Sequence, residues 1–284
     1  MRWPPPADWP MAEVSRRADS PPHRWHVQEA GTGPTVLLLH GAGGATQSWR
    51  SLFPLLAQDH HVVAVDLPGQ GYTRAGTRGR HGVAPTAQDL QRLCRAEGWQ
   101  PDLIVGHSAG APIALQMVRD GLTPRHGVIG INAALETFKG AAGLFFPLMA
   151  KTMAAIPLTA RLFAATTTPA RIRRLLEGTG SRIDARGQDL YLRLASDTEH
   201  VDGTLEMMAQ WTLEDLAQAL PRLGGPVLLL TGDNDRAVPP ATSVAAAARL
   251  PQGRHRSLGA LGHLAHEEDA PTVAAAIRDQ IART

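Results

Sequence analysis

Apolar residues fall into short, nearly continuous runs along the chain. RWHVQEA (24–30), TVLLLHG (35–41), VVAVDLPG (62–69), DLIVGHSAG (102–110), GVIGIN (127–132) and PVLLLTGDND (226–235) form the series, and a weaker run, HRSLGALGH (255–263), closes it. Between some of them lie stretches with helical spacing, such as TAQDLQRLCRAEGW (86–99) and ALQMVRDG (114–121). A strand buried on both faces loses its in/out alternation, so apolar runs separated by helices predict a mostly parallel sheet covered on both sides. The expected fold is a doubly wound α/β domain. No internal repeat is present.

The rhythm breaks after GVIGIN and resumes only at PVLLLTG. The interval is apolar at 141–164 and then rich in arginine (Arg161, Arg171, Arg173, Arg174, Arg182, Arg186, Arg193). A structureless loop of that length is implausible in a compact domain. The expectation is a helical cap at 139–215, inserted into a core made of 23–138 and 216–284. Residues 1–22, rich in Pro and Trp, are expected to be an irregular segment packed on the body or mobile.

Composition narrows the classes. Formal net charge is only +2 at pH 7, and the positive charge is arginine apart from Lys139 and Lys151. No basic block interleaves with aromatic residues, so nucleic acid is not an expected partner. The single cysteine, Cys94, allows no internal disulfide and suits a reducing compartment. The N-terminal residues lack the apolar core of a secretory signal. The 141–164 stretch is interrupted by Pro147, Lys151, Pro157 and Arg161, so it does not read as a spanning helix. A cytoplasmic protein is the expectation.

Ligands of an α/β sheet bind beyond the carboxyl ends of the strands, and four runs end there in reactive or Gly-rich residues. Gly106-His107-Ser108-Ala109-Gly110 is a G-x-S-x-G elbow between a strand and a helix, with Ser108 as nucleophile. His40-Gly41-Ala42-Gly43-Gly44 can aim a backbone N–H at an oxyanion, with Ala42 preferred and Gly43 as alternative; the N–H of Ala109 would be the second donor. A phosphate loop is disfavoured, because neither G-x-G-x-x-G nor Gly-Lys-Ser/Thr is present. After PVLLLT, Asp233 and Asp235 compete to orient the base, and Asp235, farther into the loop, is preferred to the turn residue Asp233. His263 is the expected base, since its rival His266 falls inside the next helix. His263, His266 and Glu267 contain no H-E-x-x-H, so neither a metal nor another cofactor is expected.

Ser108, Asp235 and His263 follow the Ser…Asp…His order of the α/β-hydrolases. With HGAGG, DLPGQG, GHSAG, GDND-RAVP and GHLAHEE in sequence, the chain resembles that superfamily over about residues 23–283. The resemblance implies its fold and a Ser-His-Asp triad. A serine, rather than an aspartate, at position 108 sets the chain apart from the dehalogenase and epoxide-hydrolase branches. RWHVQEAGTGPTVLLLHGAGGATQSWR, GHSAGAPIALQM and GINAALETFKGAAGLFFPLMAKTMA further resemble the magnesium-chelatase accessory proteins of bacteriochlorophyll biosynthesis (BchO type). That likeness implies photosynthesis and a role near magnesium insertion. Its expected first strand is poorly represented, because EVSRRADSPPHR is charged and carries Pro21-Pro22.

The expected activity is therefore serine hydrolysis of a carboxylic ester or related acyl bond. The alternative is a non-catalytic porphyrin-binding accessory or carrier of magnesium chelatase, with chelatase subunits as partners. A tetrapyrrole would suit an apolar, adaptable pocket from Leu144, Phe145, Phe146, Leu148, Met149 and Met153, with cap arginines for its propionates; an ordinary amphipathic cap accounts for the same residues. Peripheral membrane contact through Trp3, Trp9 and 141–164 is the least favoured reading.

Overall fold

The computed structural model describes residues 1–135 and 158–284. The expected pocket residues Leu144, Phe145, Phe146, Leu148, Met149 and Met153 lie outside the described residues. The strands are β1 (Ser15–Ser20), β2 (His23–Ala30), β3 (Thr35–Leu39), β4 (His61–Val65), β5 (Leu103–His107), β6 (Val128–Ile131), β7 (Val227–Thr231) and β8 (Gly253–Ser257). They form one sheet in the order β1-β2-β4-β3-β5-β6-β7-β8. β1, β2 and β4 pair antiparallel, and β3 to β8 are parallel.

The apolar runs are explained by burial on both faces. Leu37, Leu39, Val63, Val65 and Ile104 point into one core layer, under α2 (Val83–Glu97) and α3 (Gly110–Arg119). Val36, Leu38, Val62, Ala64, Leu103 and Val105 point into the other. That second layer is closed by Trp49 and Leu52, by Phe53 of α1 (Phe53–Leu56), and by Val273, Ala274 and Ile277 of the last helix, Ala270–Arg283. Each such side chain, fully buried, stabilises the fold by ~1.5–3 kcal/mol before entropy is counted.

One N-terminal expectation is corrected. Residues 1–22 are not irregular throughout: Ser15–Ser20 forms β1, paired over its whole length with β2. An edge strand needs only one partner and tolerates charge on its solvent side, which accommodates Arg16, Arg17 and Asp19. Pro21-Pro22 occupies the two-residue loop between Ser20 and His23, where no ladder N–H is required. Ahead of β1, Trp9 is only 2% exposed and packs edge-on against Tyr72 at 5.1 Å. It is thus core, not a membrane anchor.

Between β6 and β7 stand α4 (Thr159–Thr166), α5 (Pro169–Gly178), α6 (Ala185–Ala195) and α7 (Thr198–Ala209). Thr168, Asp184 and Asp197 cap α5, α6 and α7 through their side chains. α8 (Glu214–Ala219) returns the chain to the sheet, and Leu213 and Leu216 join the core layer. The expected border at 215 therefore falls inside a helix. Asp8 pairs with Arg193 at 2.7 Å and with Arg186, tying the N-terminal segment to α6. Among the described residues no helix is long and apolar enough to cross a membrane.

Candidate active site

β5 delivers Ser108 to the elbow. Its φ is 48°, a left-handed backbone that side-chain-bearing residues rarely adopt. The flanking glycines answer to backbone contact: a Cβ on Gly106 would lie 2.4 Å from the carbonyl carbon of Gly110, and one on Gly110 would lie 2.1 Å from the carbonyl oxygen of Leu39. The elbow is fastened by the Ser108 N–H, which donates to the Ile131 carbonyl at 2.9 Å. α3 opens directly behind it, with Pro112 in its first turn.

β7 and β8 deliver the other two groups. His263 Nδ1–H donates to Asp235 Oδ2 at 2.8 Å. Asp235 Oδ1 accepts the N–H groups of Ala237 (2.8 Å) and Val238 (2.9 Å), which fixes the carboxylate in its loop. With Nδ1 carrying the proton, the Nε2 lone pair of His263 is free to take one. Asp233, the rival acid, accepts from the Ser257 hydroxyl at the surface.

Ser108 and His263 line one cavity of about 160 Å³ with Gly41–Gly44, Ser48, His107, Leu175, Leu176, Thr179, Tyr191 and Leu264. Among the described residues the Ser108 hydroxyl makes no hydrogen bond; in unliganded sites such contacts are often open and tighten around substrate. None of the inserted-segment arginines lines this cavity. Ala42 is exposed in its wall. Ala109 is buried at the N-cap of α3. The Gly43 N–H, the alternative donor, is committed to Gln70 Oε1 at 2.8 Å.

The remaining His/Glu cluster has separate roles. His266 is fully buried between the rings of Trp49 (4.6 Å) and His107 (4.4 Å), and among the described residues neither ring nitrogen has a hydrogen-bond partner. Burial pushes its pKa down to about 3. Glu267 faces away, against the Arg50 guanidinium and the Tyr191 hydroxyl, which donates at 2.9 Å. Burial pushes its carboxyl up to about 7. His107 is also held neutral, well below the usual histidine range, by burial.

Several participants carry no motif. Tyr191, 83 residues beyond Ser108 in number, walls the cavity from α6. His200 of α7 accepts from the Gly71 N–H at 3.0 Å and approaches the Gly43 carbonyl at 3.2 Å. Asn132 joins the acid and base loops. Of these, Asn132 alone carried a visible cue, as the last residue of GVIGIN.

Comparison with known proteins agrees with this architecture. The α/β hydrolase fold family matches residues 34–270. The chain is 45% identical over 279 residues to the magnesium-chelatase 30 kDa subunit of Rhodobacter capsulatus, covering 96% of each. Among solved structures, the epoxide hydrolase CorEH superposes with a TM-score of 0.79 at 20% identity, covering 95% of this chain and 98% of that one. The CarC serine hydrolase of carbazole degradation gives 0.76 at 18% identity, covering 95% and 99%. The structural likenesses speak for the fold alone. The family match and the Rhodobacter relative together place the chain in the α/β-hydrolase fold family, in the group of the magnesium-chelatase 30 kDa subunit.

Proposed function

We propose that this protein is a serine hydrolase of the carboxylic-ester type, acting in or near the magnesium-chelatase step of bacteriochlorophyll biosynthesis. The observation that carries the reading is the Asp235–His263 hydrogen bond at 2.8 Å, with His263 and Ser108 on the same cavity. In the proposed reaction Ser108 Oγ attacks the acyl carbon as its proton passes to His263 Nε2. Asp235 holds the Nδ1–H and stabilises the imidazolium. The N–H groups of Ala42 and Ala109 receive the oxyanion; one such donor is worth ~2.7–4 kcal/mol. The imidazolium then protonates the leaving alcohol; water, deprotonated by His263, attacks the acyl carbon, and the imidazolium returns that proton to Ser108 Oγ as the acid leaves.

A fluorophosphonate probe tests this. It labels Ser108 in the folded protein and fails to label His263→Ala. Folded wild-type protein that stays unlabelled overturns the reading.

The second reading is a non-catalytic porphyrin-binding accessory or carrier, working with chelatase subunits in the cytoplasm. It is favoured by the name of the Rhodobacter relative. Complementation separates the two: in a strain lacking this gene, folded Ser108→Ala restores pigment for a carrier and does not for a hydrolase.

A further inference from the structure

We infer that Asn132 is a positioning residue that sets the His263–Asp235 pair against the nucleophile strand. The inference deepens the hydrolase reading and rests on it for its kinetic consequence.

Asn132 follows β6 and is 1% exposed. Its carboxamide spends both donors and an acceptor site on the two loops that carry the base and the acid. Nδ2 donates to the carbonyls of Gly262 (2.9 Å) and His263 (2.8 Å). Oδ1 accepts the Gly232 N–H at 2.9 Å, where the acid loop leaves β7. Its own N–H donates to Leu230 at 2.8 Å, and the preceding Ile131 carbonyl accepts the Ser108 N–H. The Asn132 side chain therefore ties the base loop and the acid loop to the end of β6, where the adjoining Ile131 carbonyl holds the elbow. His107, beside the nucleophile, adds a second hold: its Nε2–H donates to the same His263 carbonyl at 2.9 Å.

The residue type is demanding. The backbone at 132 has φ 47°, which asparagine tolerates better than most residues. The side chain must offer two donors and one acceptor in a plane. Aspartate has the shape but no donors, and its carboxylate would face two carbonyl oxygens. Glycine takes the backbone freely and removes the clamp.

The test compares wild type, Asn132→Gly and Asn132→Asp by two readouts. The first is the fluorophosphonate labelling rate per folded molecule, expected to fall about 10²-fold, the order that follows from a misplacement near 1 Å. A destabilised variant remote from the clamp, Leu93→Ala, lowers the folded fraction and leaves that rate unchanged. The second is the low-field proton resonance of His263 Nδ1–H, expected to shift or vanish in both variants. It reads the clamp whether or not Ser108 reacts. An unlabelled wild type would count against the hydrolase reading, while the resonance still decides the clamp. An unmoved resonance in folded Asn132→Gly overturns the inference, as does an unchanged labelling rate in a reactive protein.

Discussion

His263 donates its Nδ1–H to Oδ2 of Asp235 at 2.8 Å, across a separation of 28 residues. The other carboxylate oxygen is held by the N–H groups of Ala237 and Val238. In Asp235→Asn those two donors keep the amide oxygen, so the NH₂ faces His263 Nδ1. Nδ1 must then accept, the ring proton moves to Nε2, and the base has no lone pair for Ser108. Esterase activity is expected to fall by about 10⁴ with little loss of Tm. Asp233→Asn, altered at the surface contact with Ser257, should stay within about twofold of wild type on the scale of ordinary surface changes. Equal losses in both variants would assign the orienting acid elsewhere.

Two glycines at the ends of α3 should respond differently to alanine. At Gly110 the new Cβ meets the Leu39 carbonyl oxygen at 2.1 Å, so β3 or the helix must shift. The overpacking cost is about 3 kcal/mol, or roughly 6–12 °C in Tm. At Gly121, φ is 99° but none of the described residues lies within 4 Å of the new atom. Only the backbone strain remains, about 1–2 kcal/mol. Thermal melts in which Gly121→Ala is the worse variant would contradict the packing account of the elbow.

The parts readable along the chain were those whose cause is local. The β3, β5 and β7 runs announce strands because both faces are buried, and GHSAG announces a turn because its glycines touch backbone. Ser108 directly follows β5, and Asp235 and His263 lie in the loops after β7 and β8, so their order along the chain was enough to propose them together. β1 was masked by its charge, which an edge strand tolerates. Tyr191, Gln70 and His200 were invisible because their contacts join segments far apart in sequence: Gln70 holds Gly43, and His200 holds Gly71. Asn132 was visible as a strand-end residue, but its partners at Gly232, Gly262 and His263 exist only once the sheet has formed.

His266 should make the fold acid-sensitive. Its folded pKa, about 3, lies below the ordinary value of 6.5 because the ring is buried between Trp49 and His107. For a base depressed on folding, the stabilisation is present above pH 6.5 and is lost as pH falls toward 3. The shift corresponds to stability on the order of 4–5 kcal/mol over that window. His266→Phe keeps an aromatic ring in the stack and removes the titratable nitrogens. Its Tm should fall less steeply than wild type between pH 6.5 and 4. Parallel Tm–pH curves would show that this ring does not drive acid unfolding.

The Arg50–Glu267 pair should act in the opposite pH direction. Burial raises the Glu267 carboxyl to about 7, against an ordinary value of 4.5, while Arg50 and Tyr191 pull it back down. An acid raised on folding contributes stability that is full below pH 4.5 and lost as pH rises through 7. Arg50→Met removes the guanidinium, so the folded pKa rises further and the loss at high pH deepens. Breaking a buried pair in this way costs about 3–5 kcal/mol. The gap in Tm between Arg50→Met and wild type should therefore be wide at pH 8 and narrow at pH 5. Arg50→Met combined with Glu267→Gln removes the stranded charge and should close most of the gap at pH 8. Because Glu267 also holds the Tyr191 hydroxyl at the cavity wall, Arg50→Met should raise KM more than it lowers kcat. A Tm gap that does not change with pH would mean that Arg50 acts through packing of its side-chain stem, and that the carboxyl of Glu267 is neutral in the fold with or without it.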